Sequence, residues 1–456
     1  MRQKMISNEI IILRDTFRRL LRRKANTNLT KLIEKTHPAD MALLFRFFSE
    51  IEQNELFTIM RPSEHTGEFL GELDELIIKR LIENEAPQHV AKLIEFTSSN
   101  DQASILGVID EDAAQAIIEL LKSEEQEEVE EIMGYPEDSA GTIMYTDVFT
   151  LHENTLAKEA INVLQDHESS EMVFYLYFID DGERLVGVIS LRDLVTTPPN
   201  TRLKDIMIRH LQTVRPETDQ EEVARIVSQY NYLAVPVVDQ EGQLLGIVTV
   251  DEIVDVIREE ATEDFLQMAG AGKDREILMK SSWENARSRL PWLFASWVGG
   301  VCAAAIIGIF DNTLQSTLAL AAFIPVVIGM GGNIGTQTST LVVRGLATGR
   351  VNVGNNINII FKEIRVGLIL GILYGLLLGL FAIMSFVNIS PYLGLVVGLG
   401  IACSMLIATA FGSLVPLLLH RMDIDPAIAT GPFVTTSIDI LGVTLYFVIA
   451  NIFLPV

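Results

Sequence analysis

The sequence predicts a multidomain membrane protein, in which an acidic part made of helices and α/β domains precedes a helical part that crosses a bilayer. The first observation is the charge. The chain has 456 residues and a formal net charge of −25, but between Pro291 and Val456 five basic and five acidic side chains cancel, so the whole excess belongs to residues 1–290. The second is that apolar runs of roughly 20 residues, the length that crosses a bilayer, occur in the C-terminal part. The negative charge would repel nucleic acid and suits multivalent cations.

Residues 1–135 are predicted to form a helical domain with an internal repeat. Helix-start signals recur at intervals of 24, 25 and 24 residues, at Pro38, Pro62, Pro87 and Glu111. Proline in a first helical turn, followed by an apolar pattern, is typical of a helix start. A period in the twenties predicts stacked helical hairpins that form a short superhelix, with an irregular bundle as the alternative. The basic first segment has too short an apolar run for a signal peptide, so we expect a cytoplasmic N-terminus.

A duplicated pattern of strand, turn, strand and helix follows. Arg184–Val195 matches Gln243–Val254 with a shift of 59 residues, and each copy is preceded by an apolar strand, at Met172–Ile179 and Leu233–Val238. Such a duplication predicts a pair of α/β domains. We assign them to residues 136–198 and 199–258. The pair resembles tandem cystathionine-β-synthase (CBS) domains, and this resemblance implies that Tyr175, Arg192 and Asp193 could line a cleft for an adenine nucleotide.

The acidic run Asp251–Asp264 leads from the second α/β domain into an acidic connecting helix, which we assign to residues 259–289. Seven of these fourteen residues are acidic. On a helix, Glu252, Asp255, Glu259 and Glu263 share one stripe, where like charges four residues apart repel. Two explanations remain open: a solvated acidic face, or ligands for hard divalent cations. Ala269–Gly272 then predicts a hinge, and Arg275–Arg289 a helix that leads into the membrane.

Residues 290–456 are predicted to form a transmembrane domain of five spans. The spans are Pro291–Phe310, Leu314–Val343, Val366–Phe386, Leu393–Leu419 and Ala427–Leu454. With the N-terminus inside, the loop with Arg344, Arg350, Lys362 and Arg365 lies inside as well, which satisfies the positive-inside rule. The C-terminus is then extracytoplasmic.

Polar residues at membrane depth indicate a cation pathway. The second span contains glycines, amides and hydroxyls from Pro325 to Thr340, which imply tight helix contacts, a broken helix or a wet cavity. In the fifth span, Asp439 follows Gly431-Pro432 and three hydroxyl residues. A carboxylate there is costly unless it meets water, a partner or a cation. One aspartate supplies only one carboxylate to a cation in a pore, but a symmetric dimer would place two aspartates on one axis. A buried carboxyl between helices is the alternative.

The ordered combination of these parts resembles the MgtE family of magnesium channels over essentially the full length. The motifs that carry the resemblance are Tyr135–Gly141, Pro325–Gln337, Asp425-Pro426-Ala427, and Gly431-Pro432 ahead of Asp439. The resemblance implies a homodimer in which the second and fifth spans line a Mg²⁺ pore. It assigns Asp439 and the Thr435 carbonyl as pore ligands. The implied pore lining is Asn333, Gln337, Gly331, Gly332, Pro325 and Pro432.

The same resemblance implies regulation by cytoplasmic Mg²⁺, which closes the pore. The implied regulatory ligands are Asp219, Glu221, Glu252, Asp255, Glu260, Glu263 and Asp264. Some positions depart from the family pattern, because Gln88, His89 and Lys92 stand where acidic residues are often found. These departures put the part of the N-terminal domain in Mg²⁺ sensing in doubt.

The sequence thus predicts a Mg²⁺-selective channel of the plasma membrane, closed by internal Mg²⁺, and not an enzyme. The alternative is an ion-coupled carrier for divalent cations, for which further intramembrane carboxylates or inverted repeats are typical. The spans as assigned contain one carboxylate, which favours the channel. An intramembrane protease would need a second catalytic carboxylate or a Ser/His pair at depth.

Overall fold

The computed structural model describes residues 2–63, 65–83, 85–166, 174–273, 276–351, 356–386, 390, 392–422 and 424–454. The chain divides into two compact units, Met1–Ile257 and Arg258–Val456.

The first unit begins with short helices that follow one another in pairs. They are α1 (Arg2–Arg22), α2 (Asn26–Ile33), α3 (Pro38–Phe45), α4 (Glu50–Met60), α5 (Thr66–Gly71), α6 (Glu75–Ile82), α7 (Pro87–Ile94), α8 (Ser99–Gly107), α9 (Glu111–Ile118) and α10 (Ser123–Met133). One continuous apolar core runs beneath them, from Phe17 to Ile132. Each pair contributes its apolar side chains to this core, so the helices form a superhelical stack, as predicted.

Three of the four predicted helix starts are confirmed, because α3, α7 and α9 begin at Pro38, Pro87 and Glu111. The start at Pro62 is wrong. The chain turns after Met60, and α5 begins at Thr66, whose buried hydroxyl donates a hydrogen bond to the Met60 carbonyl over 2.6 Å. A proline pattern does not reveal this contact, which ties the new helix to the end of the preceding one.

The duplicated α/β pattern is confirmed in the rest of the first unit. The elements are β1 (Thr150–His152), α11 (Ala157–Asp166), β2 (Tyr175–Ile179), β3 (Leu185–Ser190), α12 (Leu191–Thr196), α13 (Gln220–Tyr230), β4 (Ala234–Val238), β5 (Leu244–Thr249) and α14 (Val250–Met268). Strand β2 pairs parallel with β1 and antiparallel with β3, and β4 pairs antiparallel with β5. The first residues of the predicted strand Met172–Ile179 lie outside the described residues.

The two copies of the pattern contact each other. The Leu185 N–H donates to the Gly242 carbonyl over 2.9 Å, and Arg184 forms a β-bridge with Gln243. A small core formed by Tyr177, Ala234 and Ile247 lies between them. Backbone hydrogen bonds and apolar packing therefore join the copies into a pair.

The acidic run Asp251–Asp264 is helical, as predicted, and lies within α14, which crosses the division between the two units. The helix predicted over Arg275–Arg289 is confirmed from Ser282 onward, but its start is wrong. Residues 276–280 form turns, and α15 begins at Ser282, because Ser281 and Glu284 form a capping box there. Gly270 and Gly272 have φ angles of +70° and +91°, so the predicted hinge is a turn that glycine accommodates without strain.

The second unit contains five helices that are long and apolar enough to cross a membrane, which confirms the number of spans within the described residues. They are α15 (Ser282–Ile309), α17 (Ile324–Ala347), α18 (Asn356–Ser385), α19 (Leu393–Arg421) and α20 (Pro432–Phe453), with the short helix α16 (Asp311–Ser316) after α15. The 3₁₀ segments Leu318–Phe323 and Pro426–Thr430 precede α17 and α20. The last span therefore begins at Pro432 and not at Ala427.

Glycines bring the helices of the second unit into close contact. A Cβ atom at Gly375 would lie 2.6 Å from the Gly398 carbonyl, so α18 and α19 touch by their backbones. A Cβ atom at Gly331 would lie 2.7 Å from Ser404 Oγ, which packs α17 against α19 in the same way. Because α17 runs without interruption, its glycines serve tight packing rather than a break in the helix.

Candidate cation site

The start of α20 brings a carboxylate to the centre of the second unit. Asp425 caps the 3₁₀ segment before it, where Asp425 Oδ1 accepts a hydrogen bond from the Ala427 N–H over 2.8 Å. The chain leaves helical geometry at Gly431, with ψ of −146°, and α20 then begins at Pro432. Proline fits this first position because its missing N–H would have no helical partner there. Asp439 follows about two turns later.

Asp439 faces α17 at Gly332. A Cβ atom at Gly332 would lie 3.8 Å from Asp439 Oδ1, so glycine leaves the carboxylate open on that side. Asp439 is partly exposed, and within the described residues no N–H or O–H donor is paired with its side chain. A carboxylate without donors needs water or a cation.

Helix α17 presents a polar, exposed face that includes the residue after Gly332. Asn333 and Gln337 are both exposed and lie one turn apart on the helix, and Pro325 and Gly329 continue the same exposed stripe. Four of the predicted lining residues, Pro325, Gly332, Asn333 and Gln337, are therefore exposed or partly exposed on this helix.

Gly331 is placed differently from the other predicted lining residues. It is buried in the contact with Ser404 and Ile438 and does not share the exposed face. Pro432 is partly exposed, at the start of α20. The Thr435 hydroxyl donates to the Pro432 carbonyl over 3.2 Å, so its proton serves its own helix, and the backbone carbonyl is the predicted ligand of this residue.

The exposed face of α18 has a different chemistry. Leu368, Ile372, Leu376 and Leu380 are each between 50% and 70% exposed, and the neighbouring exposed side chains are also apolar. This composition is typical of a surface in contact with lipid chains. The exposed face of α17 contains amides and glycines, so its composition is not typical of a surface in contact with lipid chains.

The predicted regulatory residues fall into separate groups. In the first unit, Glu252 is mostly buried, accepts a hydrogen bond from Tyr145 Oη over 2.9 Å and lies 3.4 Å from Asn100 Nδ2. Burial raises the pKa of Glu252 to about 7, the Tyr145 hydroxyl lowers it, and the charge of Asp101 raises it further. Asp255 lies near Glu72, whose pKa is raised by burial and then by the charge of Asp255.

Asp219 and Glu221 lie apart from that group, at the start of α13. Asp219 Oδ1 accepts a hydrogen bond from the Glu221 N–H over 2.8 Å, so Asp219 is the N-cap of the helix. A structural role thus accounts for one of its oxygens.

In the second unit, α14 continues with Glu260, Glu263 and Asp264. Glu263 forms an ion pair of 2.7 Å with Lys273. Burial raises the pKa of Asp264, the charge of Asp425 raises it further, and Arg344 opposes both effects. The sequence analysis did not name Asp425 as a ligand, although it lies in one of the recognised motifs. It is 161 residues from Asp264 in the sequence, and only the fold brings the two carboxylates near each other.

The proposed nucleotide residues meet at one edge of the first α/β copy. Tyr175 begins β2 and pairs with Ser190, which ends β3. Ser190 caps α12, where its Oγ accepts from the Asp193 N–H over 3.1 Å and donates to Asp193 Oδ2 over 2.7 Å. Arg192 and Asp193 are exposed, and Tyr175 packs against the core between the copies. Tyr175 therefore lies at the contact between the copies, whereas Asp193 is placed by the cap of α12.

Within the described residues, no three His, Cys, Asp or Glu side chains converge as a possible metal site. Acidic side chains do lie near one another, as Asp264 does to Asp425. A divalent ion at these places would have to be held through water, by backbone carbonyls or by a second protomer.

Comparison with known proteins agrees with this architecture. Residues 324–449 match the family model MgtE, described as a divalent cation transporter. Residues 36–138 match the MgtE intracellular N domain, and residues 140–199 and 203–259 match the CBS domain. The chain is 35% identical to the magnesium transporter MgtE of Bacillus subtilis, over 95% of this chain and 96% of that protein. It is 36% identical to MgtE of Thermus thermophilus, over 70% and 71%.

Two solved structures are similar to the first unit. One is the cytosolic domain of the Mg²⁺ channel MgtE in complex with ATP, with a TM-score of 0.51 and 32% identity over 53% of this chain and 99% of that chain. The other is the soluble part of a magnesium transporter, with a TM-score of 0.50 and 29% identity over 55% and 99%.

Proposed function

Because the chain belongs to the MgtE family of divalent cation transporters, we propose that it is a homodimeric channel that conducts Mg²⁺ across the membrane. The observation that carries this proposal is the position of Asp439, whose carboxylate lies open against Gly332 next to the exposed amides of α17. A protein built only for packing would cover such a carboxylate with a donor or place a larger residue at 332.

The chemistry of this place suits a hydrated divalent ion. Mg²⁺ prefers six oxygen ligands and gives up its water reluctantly, so a carboxylate can hold it through its water shell. The amides of Asn333 and Gln337 can accept and donate hydrogen bonds to that water. In a twofold dimer with α17 at the axis, two copies of Asp439 and of this face would surround one path.

Closure by internal Mg²⁺ is supported by the acidic residues of α14. The charge of Asp425 raises the pKa of Asp264, and a divalent cation near both carboxylates would relieve that repulsion. Since Asp425 immediately precedes the segment that leads into α20, a cation on this pair would fix the start of the helix that carries Asp439. The cation must bind the closed form more tightly than the open form for this to act as a gate.

The proposal also covers Mg²⁺ sensing and nucleotide binding by the first unit, and the orientation of the chain in the membrane. Glu252, Asp255, Asp219 and Glu221 would contribute to sensing, and Tyr175, Arg192 and Asp193 would bind an adenine nucleotide, as the ATP complex of the similar cytosolic domain suggests. The N-terminal part would face the cytoplasm of a plasma membrane, with the C-terminus outside.

The experiment is a current recording on the full chain in planar bilayers, with Mg²⁺ as the permeant ion and internal Mg²⁺ varied. We expect discrete current steps at low internal Mg²⁺ that disappear as internal Mg²⁺ rises, and smaller currents with Ca²⁺. Uptake of Mg²⁺ into liposomes without any current steps would contradict the channel.

The second candidate is an ion-coupled carrier, and one observation favours it. The predicted third span begins at Val366 and leaves Glu363 in the preceding loop, which is wrong, because α18 begins at Asn356 and Glu363 is buried within it. The membrane unit thus has a second carboxylate besides the partly exposed Asp439, a feature typical of coupled carriers. Dependence of Mg²⁺ uptake on a proton or sodium gradient would favour the carrier, and independence of both would favour the channel.

A further inference from the structure

Glu363 is a buried carboxylate that the proposed conduction path does not use. Its exposure is 9%, although its neighbours Lys362 and Arg365 are exposed. Glu363 Oε2 accepts a hydrogen bond from Thr338 Oγ1 on α17 over 3.3 Å. Within the described residues, no basic side chain forms an ion pair with it. A buried carboxylate without a paired cation costs folding free energy, so packing does not account for it.

Small residues bring three helices together around this hydrogen bond. One turn after Glu363, Gly367 packs directly against the Thr409 side chain of α19. A Cβ atom at Gly412 of α19 would lie 3.2 Å from Thr338 Cβ. Thr338 and Thr409 are both fully or almost fully buried. The carboxylate, the hydroxyl and the glycines therefore meet at one junction of α17, α18 and α19.

Glycines contribute to the packing of α17. Gly331 and Gly335 lie tightly against α19 and α20, and the dispersion attraction in such contacts has no preferred angle of its own. The hydrogen bond between Thr338 and Glu363, in contrast, is directional. It lies at Thr338, the residue directly after Gln337 and five after Asn333, on the opposite, buried side of the helix.

We propose that Glu363 is a positioning residue for permeation, which acts through Thr338 to hold the rotation of α17 and thereby the direction of Asn333 and Gln337. This inference rests on the proposed function, since it assigns a role to the same face of α17. Without the hydrogen bond, α17 keeps its packing but turns on its glycine surfaces, and the two amides move away from the side of Asp439. The carboxylate acts as an acceptor, and its charge is not required.

The test separates the acceptor from the charge. Thr338→Val and Glu363→Leu remove the hydrogen bond, whereas Thr338→Ser and Glu363→Gln keep a donor and an acceptor. We expect each of the first two to lower Mg²⁺ uptake into liposomes about tenfold, the value of one such bond. The double variant Thr338→Val with Glu363→Leu should be no worse than either single one, because both remove the same interaction. The two conservative variants should retain uptake.

A second readout does not depend on transport. In a background of Cys302→Ser and Cys403→Ser, Gln337→Cys is treated with a water-soluble thiol reagent, and the rate of modification is measured. We expect the rate to change in the Thr338→Val and Glu363→Leu backgrounds and to stay the same in the conservative ones. Size-exclusion profiles and melting curves exclude unfolded variants.

Two results would overturn the inference. One is a Glu363→Gln variant as defective as Glu363→Leu while Thr338→Val is normal, because the charge would then matter and the hydrogen bond would not. The other is an unchanged rate at position 337 in all backgrounds. If the unmodified chain carried no Mg²⁺, the proposed function would fail, but the thiol rates would still decide on the positioning role.

Discussion

Glu252 in the first unit and Asp439 in the second are both carboxylates on helices, but their surroundings differ. Glu252 is mostly buried and accepts hydrogen bonds from the neutral donors Tyr145 and Asn100. Asp439 is partly exposed, faces a glycine, and has no paired donor among the described residues. Neutral donors fix the first carboxylate within the fold, whereas the second depends on something outside the protomer.

The surroundings of Asp264 and Asp425 are intermediate between those of Glu252 and those of Asp439. Burial and the charge of Asp425 raise the pKa of Asp264, and the charges of Arg344 and Lys273 oppose this effect only in part. These differences indicate that the carboxylates of the chain have at least two roles. Some carboxylates hold the fold through donors, and others remain available to cations. Substitutions that remove one charge at a time can separate these roles.

The largest effect is expected at Asp439. Asp439→Ala removes the open carboxylate, and Mg²⁺ uptake into liposomes should fall more than about 100-fold, because a buried path without charge cannot compensate a divalent ion. Ser437→Ala is the matched control, since the Ser437 hydroxyl bonds only within its own helix, to the Phe433 carbonyl over 2.8 Å. Normal uptake by a folded Asp439→Ala protein would contradict this expectation. Asp439 would then not differ from Glu252 by a role in transport.

A smaller loss is expected on the exposed face of α17. Asn333→Leu replaces an amide beside Asp439 by an apolar group, and uptake should fall about tenfold because water in the path loses a hydrogen-bond partner. Leu376→Ala, on the exposed face of α18, should leave uptake unchanged, since that side chain meets lipid. Equal effects of both substitutions would mean that the two faces do not differ in function.

The third expectation concerns closure. Asp264→Asn and Asp425→Asn should each raise the internal Mg²⁺ concentration that half-closes the channel by about tenfold or more, as the loss of a ligand side chain or its support does in metal sites. Uptake at low internal Mg²⁺ should be unchanged. Asp311→Asn removes a charge from the same unit and serves as the control. Unaltered closure in both variants would place the sensor in the first unit.

The smallest effect is expected at Glu252. Its folded pKa of about 7 lies above the ordinary 4.5, so the folded state holds the proton more tightly, and this stabilisation is present below about pH 4.5 and lost as pH rises through 7. Glu252→Gln should therefore raise the melting temperature at pH 8 by about 2 to 5 °C and have little effect at pH 5. Circular dichroism of the full chain in detergent measures this change.

Glu241→Gln, at an exposed position of the same unit, is the control for Glu252→Gln and should not change the melting curve. A lower melting temperature of Glu252→Gln at pH 8 would contradict the expectation. It would show that Tyr145 and Asn100 hold the ionised carboxylate more favourably than they hold an amide.

Features that depend on neighbours in the chain were predicted well. The helix starts at Pro38, Pro87 and Glu111 follow from local capping and apolar spacing, and the acidic run is helical as expected. The predicted start at Pro62 failed because a side-chain contact of Thr66 decides where that helix begins. The helix predicted over Arg275–Arg289 begins later, at Ser282, because Ser281 and Glu284 form a capping box, and this signal is visible in the sequence.

The sequence by itself determined the acidic first part, the duplicated α/β pattern, the five apolar spans and the isolation of Asp439, because each is a property of composition or of local periodicity. Only the tertiary structure decided that Gly332 faces Asp439, that Asp264 meets Asp425, and that Glu363 is buried against Thr338. These pairs lie on different helices far apart in the chain. Their meeting depends on how helices pack through glycine surfaces, which no pattern along a single segment specifies.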